Sequence, residues 1–120
     1  MRDIIVDGHP NLNKVSNLVK VPMSFSDKRL ARNLHEYIIN SQDEEISEKY
    51  KLRAAVGISA PQVNILKRMF AVHFDFEGIL YSYVVINPEY TYLSEEMTYL
   101  PGGEGCLSVD YDTEGLTPRH

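Results

Sequence analysis

Residues 69–86 constrain this chain more than any other stretch. Met69 to Phe76 alternates, with Phe70, Val72, Phe74 and Phe76 on one side of the backbone and Met69, Ala71, His73 and Asp75 on the other. A two-residue period is the signature of a strand, here with one strongly apolar face. Glu77-Gly78 reads as a turn. Ile79 to Ile86 is rich in β-branched and aromatic residues and reads as a second strand, which Asn87-Pro88 ends. Everything else has to be built around that antiparallel pair.

The preceding segment has a different period. Ser26 is placed to cap a helix starting at Asp27, whose carboxylate suits the positive end of the helix dipole. Leu30, Leu34, Tyr37 and Ile38 form an apolar stripe at helical spacing, while Arg29, Arg32, Asn33 and Glu36 fall largely off it. His35 adjoins the stripe and reads as a half-buried, hydrogen-bonded histidine. A second, short helix is expected over Glu44 to Tyr50, with Asp43-Glu44-Glu45 as its solvated start. Asp7-Gly8-His9-Pro10-Asn11 is dense in turn formers, which makes His9 a loop residue. Thr91-Tyr92-Leu93 and Met97-Thr98-Tyr99-Leu100 flank Ser94-Glu95-Glu96 and suggest another hairpin. The expected fold is α+β, a helix followed by antiparallel strands, in a single domain over residues 1–120.

Composition removes several function classes. The net charge is −5 and the basic residues are scattered, so nucleic-acid binding through a basic patch is not expected. One cysteine cannot form an internal disulfide, which fits a reducing, cytoplasmic setting. The first residues are too short an apolar run for a signal peptide, and no stretch approaches the roughly 20 apolar residues that span a membrane.

Two loops carry the candidate chemistry. In Val56-Gly57-Ile58-Ser59-Ala60-Pro61-Gln62, Gly57 lets backbone approach a ligand closely or take a positive φ, and Pro61 holds Ala60 extended. Gln62 offers an amide that can donate to an oxygen gaining negative charge, or that simply satisfies backbone. In Glu104-Gly105-Cys106-Leu107-Ser108, the chain's single cysteine stands beside a glycine that removes side-chain bulk. Cys106 reads either as a thiolate metal ligand or as a small buried hydrophobe. The backbone N–H of Leu107 is a possible second donor alongside Gln62.

Together these loops resemble the peptide deformylases, metal hydrolases that remove the formyl group from N-terminal formylmethionine. Ala55-Val56-Gly57-Ile58-Ser59-Ala60-Pro61-Gln62 is similar to that family's first motif, with Ala55 where glycine is usual and Ser59 where alanine is usual. Glu104 to Ser108 matches the second motif, E-G-C-L-S, without change. Gly8-His9-Pro10, the helix through Leu30 and Tyr99-Leu100-Pro101 resemble the longer, Gram-positive-type branch. The resemblance implies that Cys106 is the sulfur ligand of a divalent metal, iron in many members, with zinc or nickel substituting. It implies that Gln62 and the Leu107 N–H stabilise the tetrahedral oxyanion, and that Gly57, Gly105 and Val56 border the substrate, Val56 near the methionine side chain. An ion pair between Glu104 and Arg119 behind the metal loop is also implied. The implied substrate is a formyl-methionyl peptide N-terminus.

The family's third motif, H-E-x-x-H, is missing. The four histidines are His9, His35, His73 and His120, and no two are four apart. The motif would supply two metal ligands and the general acid/base. The expectation is therefore a deformylase-like chain cut short before its catalytic helix, with metal bound weakly or not at all and no activity alone. The alternatives are half of a split enzyme completed by a second fragment, or a non-catalytic remnant that acts as an interaction protein. The apolar strand face, lacking cover, points to self-association.

Overall fold

The computed structural model describes residues 3–111, 115 and 117–120. Two helices, α1 (Phe25–Ser41) and α2 (Glu44–Tyr50), precede three strands, β1 (Gly57–Ser59), β2 (Met69–Phe76) and β3 (Ile79–Ile86). The strands form one antiparallel sheet in the order β1-β2-β3. This is the α+β arrangement expected from the sequence. Phe76 pairs directly with Ile79, so Glu77 and Gly78 make up the whole hairpin loop. Their φ angles are 50° and 78°. Two positive φ values in a two-residue loop match the right-handed twist of the flanking strands.

The helix packs on one side of this sheet. Leu34 and Ile38 of α1 share a buried cluster with Ile58, Ala60, Met69 and Ala71. The core side of β2 is therefore the one with Met69 and Ala71, and not the phenylalanine side that alternation marks as strongly apolar. Small Ala71, fully buried, lets α1 approach the sheet, which the three phenylalanine rings of the other side would not. His35 and His73 meet on this side: His35 Nε2 lies 2.7 Å and His73 Nδ1 2.8 Å from the Ser82 hydroxyl. His35 is half-buried and hydrogen-bonded, as expected. On the other side, Phe70, Val72, Phe74 and Phe76 stand opposite Val85, Tyr83, Tyr81 and Ile79.

Two expectations are corrected. The cap of α1 is Ser24 rather than Ser26: its Oγ accepts the Asp27 N–H at 3.1 Å, and the helix starts at Phe25. Both serines are chemically suited to capping, and their hydroxyls lie 3.1 Å apart. No hairpin forms over residues 91–100. Ser94 Oγ instead donates to the Glu96 carbonyl at 2.7 Å, closing a local turn. Thr98 exchanges both of its backbone hydrogen bonds with Arg119, each at 2.6 Å. The short helix over Glu44–Tyr50 forms as expected, capped by the Asp43 carboxylate, which accepts the Ile46 N–H at 3.0 Å.

Asp27 is buried at the first turn of α1 and receives a hydrogen bond from the Lys67 ammonium. That bond, with a smaller contribution from Ser24, outweighs burial and holds the carboxyl below the usual aspartate range. A depressed folded-state value means stability that is present at neutral pH and is lost as pH falls through the folded value, below about pH 4. Urea midpoints between pH 6 and pH 3 are expected to fall more for the native chain than for Asp27→Asn. Parallel profiles would show that this pair contributes nothing to acid sensitivity.

Candidate active site

The 3-10 helix Ala60–Val63 explains how Gln62 is held. Ser59 is its cap residue and Gln62 its third residue, so the Gln62 side chain folds back on the start of the turn. Gln62 Oε1 accepts the Ser59 backbone N–H at 3.0 Å and the Ser59 hydroxyl at 3.2 Å. With the amide oxygen fixed by a backbone donor, the NH2 end must point outward. It donates to Cys106 Sγ at 3.6 Å and lies 3.3 Å from Ser108 Oγ. A carboxamide held by its oxygen is a preorganised donor, because its orientation no longer has to be selected at the moment of use.

Gly57 has a specific reason to be glycine. A Cβ there would lie 3.3 Å from the Ala71 carbonyl oxygen and 3.4 Å from a Val72 methyl. Its φ is not positive, so close strand pairing, rather than backbone handedness, is what crowds a side chain there. The approach to β1 is held from α1. Gln42 Nε2 donates to the Ala55 carbonyl at 2.9 Å and to the His73 carbonyl at 2.6 Å, while Ser41 Oγ accepts the Ala55 N–H at 3.3 Å.

The cysteine loop is anchored from both sides. Leu107 and Ser108 are buried, while Cys106 is exposed and free. Buried neighbours with an outward thiol leave the sulfur accessible on a fixed backbone. The Ser108 carbonyl accepts the Asp7 N–H at 2.6 Å, and the Gln62 carbonyl accepts the Ile5 N–H at 2.8 Å. The N-terminal segment therefore bridges the two loops. Tyr111 adds a hydrogen bond to the Asp7 carboxylate at 2.5 Å, which raises the phenol above its usual range. Arg53 donates to the carbonyls of Cys106 and Val109. Arg119 Nη2 donates to Glu104 Oε2 at 2.7 Å, and this bond holds the Glu104 carboxyl below the usual range.

Val56, Gly57, Gln62, Gly105, Cys106 and Leu107, singled out in two separate stretches of sequence, all line one cavity of about 920 Å³, with Glu104 and Arg119. Ser59, Ser108, Arg53 and the bridging residues Ile5 and Asp7 were not singled out for a site role. Ser59 stands in the sequence only as a departure from the usual alanine, and its place as the cap of Gln62 shows only in the turn. Bonds made by backbone N–H groups at Ile5 and Asp7 leave no trace in residue type.

Among the described residues, no group of three His, Cys, Asp or Glu side chains is placed to hold a metal ion. A catalytic zinc-type centre uses about three protein ligands, so Cys106 with its present neighbours does not make one. Among the described residues, no helix is long and apolar enough to cross a membrane.

The helix-backed antiparallel sheet matches solved structures of peptide deformylases. The polypeptide deformylase family model matches residues 1–120, and the chain belongs to that family. It is 51% identical over 121 residues to the peptide deformylase of Oceanobacillus iheyensis, covering 100% of this chain and 66% of that protein. The crystal structure of a K3U-bound class I type b peptide deformylase from Acinetobacter baumannii superposes with a TM-score of 0.68 at 29% identity, covering 98% of this chain and 68% of that one. The Met-Ala-Ser-bound form of the Acinetobacter protein gives 0.66 at 28% identity, covering 97% and 69%. The chain thus spans about 66% of the length of the first of these relatives.

Proposed function

We propose that residues 1–120 form one deformylase unit that positions two parts of the reaction centre, the oxyanion donors and the thiolate ligand, for hydrolysis of the formyl group on an N-terminal methionine. The observation that carries this is the Gln62 amide, fixed through Oε1 by Ser59 and aimed through Nε2 at Cys106. Attack of water on a formyl carbon makes a tetrahedral intermediate with a negatively charged oxygen. The Gln62 Nε2–H and the Leu107 backbone N–H are the donors to that oxygen. Gly57 offers main chain to the peptide, Val56 borders the methionine side chain, and Gly105 leaves room beside the sulfur. The peptide in the Met-Ala-Ser-bound relative begins with methionine, which supports the same substrate class here, formyl-methionyl peptides in the cytoplasm.

Cys106 serves in this proposal as one ligand of a divalent metal, iron or a zinc or nickel substitute. Two further ligands and a general base have to be added, so the 120 residues alone are inactive. The test is formate release from formyl-Met-Ala-Ser with ferrous ion present. The chain by itself is expected to give none above buffer. The chain joined at residue 120 to the remaining third of the Oceanobacillus relative is expected to turn over. No formate from a folded joined protein would rule out the deformylase function. Turnover by the isolated chain that vanishes in Cys106→Ala would rule out its incompleteness.

A further inference from the structure

Arg53 reaches from the approach to β1 to the cysteine loop, and its own place is fixed from both ends. On one side the Leu52 N–H donates to the Ser47 carbonyl at 2.8 Å, closing the end of α2 just after Lys51, which is left-handed. On the other side Ser41 and Gln42, at the end of α1, hold Ala55. Between these anchors the guanidinium extends to residues 106–109. Nη1 and Nη2 each lie 3.1 Å from the Val109 carbonyl oxygen, and Nη2 also donates to the Cys106 carbonyl.

Cys106 to Val109 is a turn, closed by the Val109 N–H donating to the Cys106 carbonyl at 3.0 Å. Arg53 therefore holds the carbonyls at both ends of that turn. A planar fork of donors suits two acceptors better than a single ammonium does. The Cys106 carbonyl belongs to the same peptide unit as the Leu107 N–H. That unit is planar and trans, so its C=O and N–H point in opposite directions. A cation holding the oxygen on one side thus fixes the direction of the N–H on the other. It also strengthens that N–H as a donor, because hydrogen bonds in series polarise one another. Leu107 is buried and lines the cavity, yet among the described residues its N–H donates to no other group.

We propose that Arg53 is a positioning residue which, by holding the Cys106 carbonyl, aims and strengthens the Leu107 N–H as the second oxyanion donor beside Gln62. This rests on the deformylase function proposed above, so one arm of its test needs no turnover. The chain has a single cysteine. Isotopic labelling of the cysteine carbonyl carbon and the leucine nitrogen therefore leaves one coupled pair, the Cys106–Leu107 amide. Arg53→Ala is expected to move that nitrogen resonance upfield, with the far-ultraviolet circular dichroism kept, and Arg53→Lys to move it part of the way. A native resonance at the position of unstructured chain, or one that neither variant moves, would overturn the proposal. Should Arg53→Ala fail to fold, Arg53→Lys decides alone.

In the joined protein, Arg53→Ala is expected to lower kcat for formyl-Met-Ala-Ser by about 10–100-fold, less than outright loss of a donor, with KM within about twofold of native. Arg53→Lys is expected to recover part of that kcat. A loss confined to KM, or a lowered urea midpoint with native kcat, would make Arg53 a structural clamp only and overturn the proposal, while the deformylase function stands. A native joined protein that releases no formate would overturn that function and this role with it, even where the resonance moves.

Discussion

Gln62→Ala in the joined protein is expected to lower the rate of formate release by about 10²–10³-fold, since losing one oxyanion donor costs roughly 3–4 kcal/mol of transition-state stabilisation. The loss should fall on kcat rather than KM, because the donor meets a charge that exists only near the transition state. Ser59→Ala is the informative comparison. It removes the hydroxyl that reaches Gln62 Oε1 at 3.2 Å and keeps the backbone N–H that reaches it at 3.0 Å. The amide stays oriented by the stronger of its two holders, so the loss should be far smaller than for Gln62→Ala. Equal losses would mean that Gln62 acts by filling space in the turn rather than by donating. A Gln62→Ala protein with unchanged kcat would remove it from the reaction altogether.

Ile38→Ala is expected to destabilise the fold by about 2–5 kcal/mol. Ile38 is completely buried and sits where α1 meets Ile58, Met69 and Ala71. Small-domain stability is typically about 5–15 kcal/mol in all. Here the packed core occupies one side of the sheet only, so the lower end of that range is the relevant one and the variant should be largely unfolded at 37 °C. Its neighbour Ile39 is 38% exposed on the same helix, and Ile39→Ala should cost well under half as much. Urea unfolding followed by circular dichroism measures both. Similar midpoint shifts for the two would mean that α1 is not docked by the face described.

Much of this was legible in the sequence, for identifiable reasons. The stripe of Leu34 and Ile38 and the alternation of β2 are periodic, and period is a property of the chain alone. The two-residue turn at Glu77 and Gly78 follows from local chemistry. Alternation gives the two faces of β2 but does not say which one α1 covers; packing under a helix rewards small or adaptable residues, and Ala71 with Met69 takes that side. The expected hairpin at 91–100 failed because the partner of Thr98 is Arg119, from a distant part of the chain. The two loops that line the cavity stand out in the sequence by motif. Their supports do not, because the Ile5 and Asp7 contacts run through backbone groups common to every residue.

The bridge made by the N-terminal segment also sets an order of events. The β2–β3 hairpin closes across two residues, a local step. Gln62 and Cys106 are 44 positions apart, Arg53 and Cys106 are 53 apart, and Asp7 and Tyr111 are 104 apart. Each longer closure costs more chain entropy and is repaid only when the ends meet. During synthesis, the three strands described here are all available once Ile86 has emerged. The opening residues must wait until the cysteine loop and Tyr111 have left the ribosome before they can tie the two halves of the site together. The two loops that line the cavity are thus joined only after the hairpin behind them is free to close, so the site is built onto a sheet that can form before it.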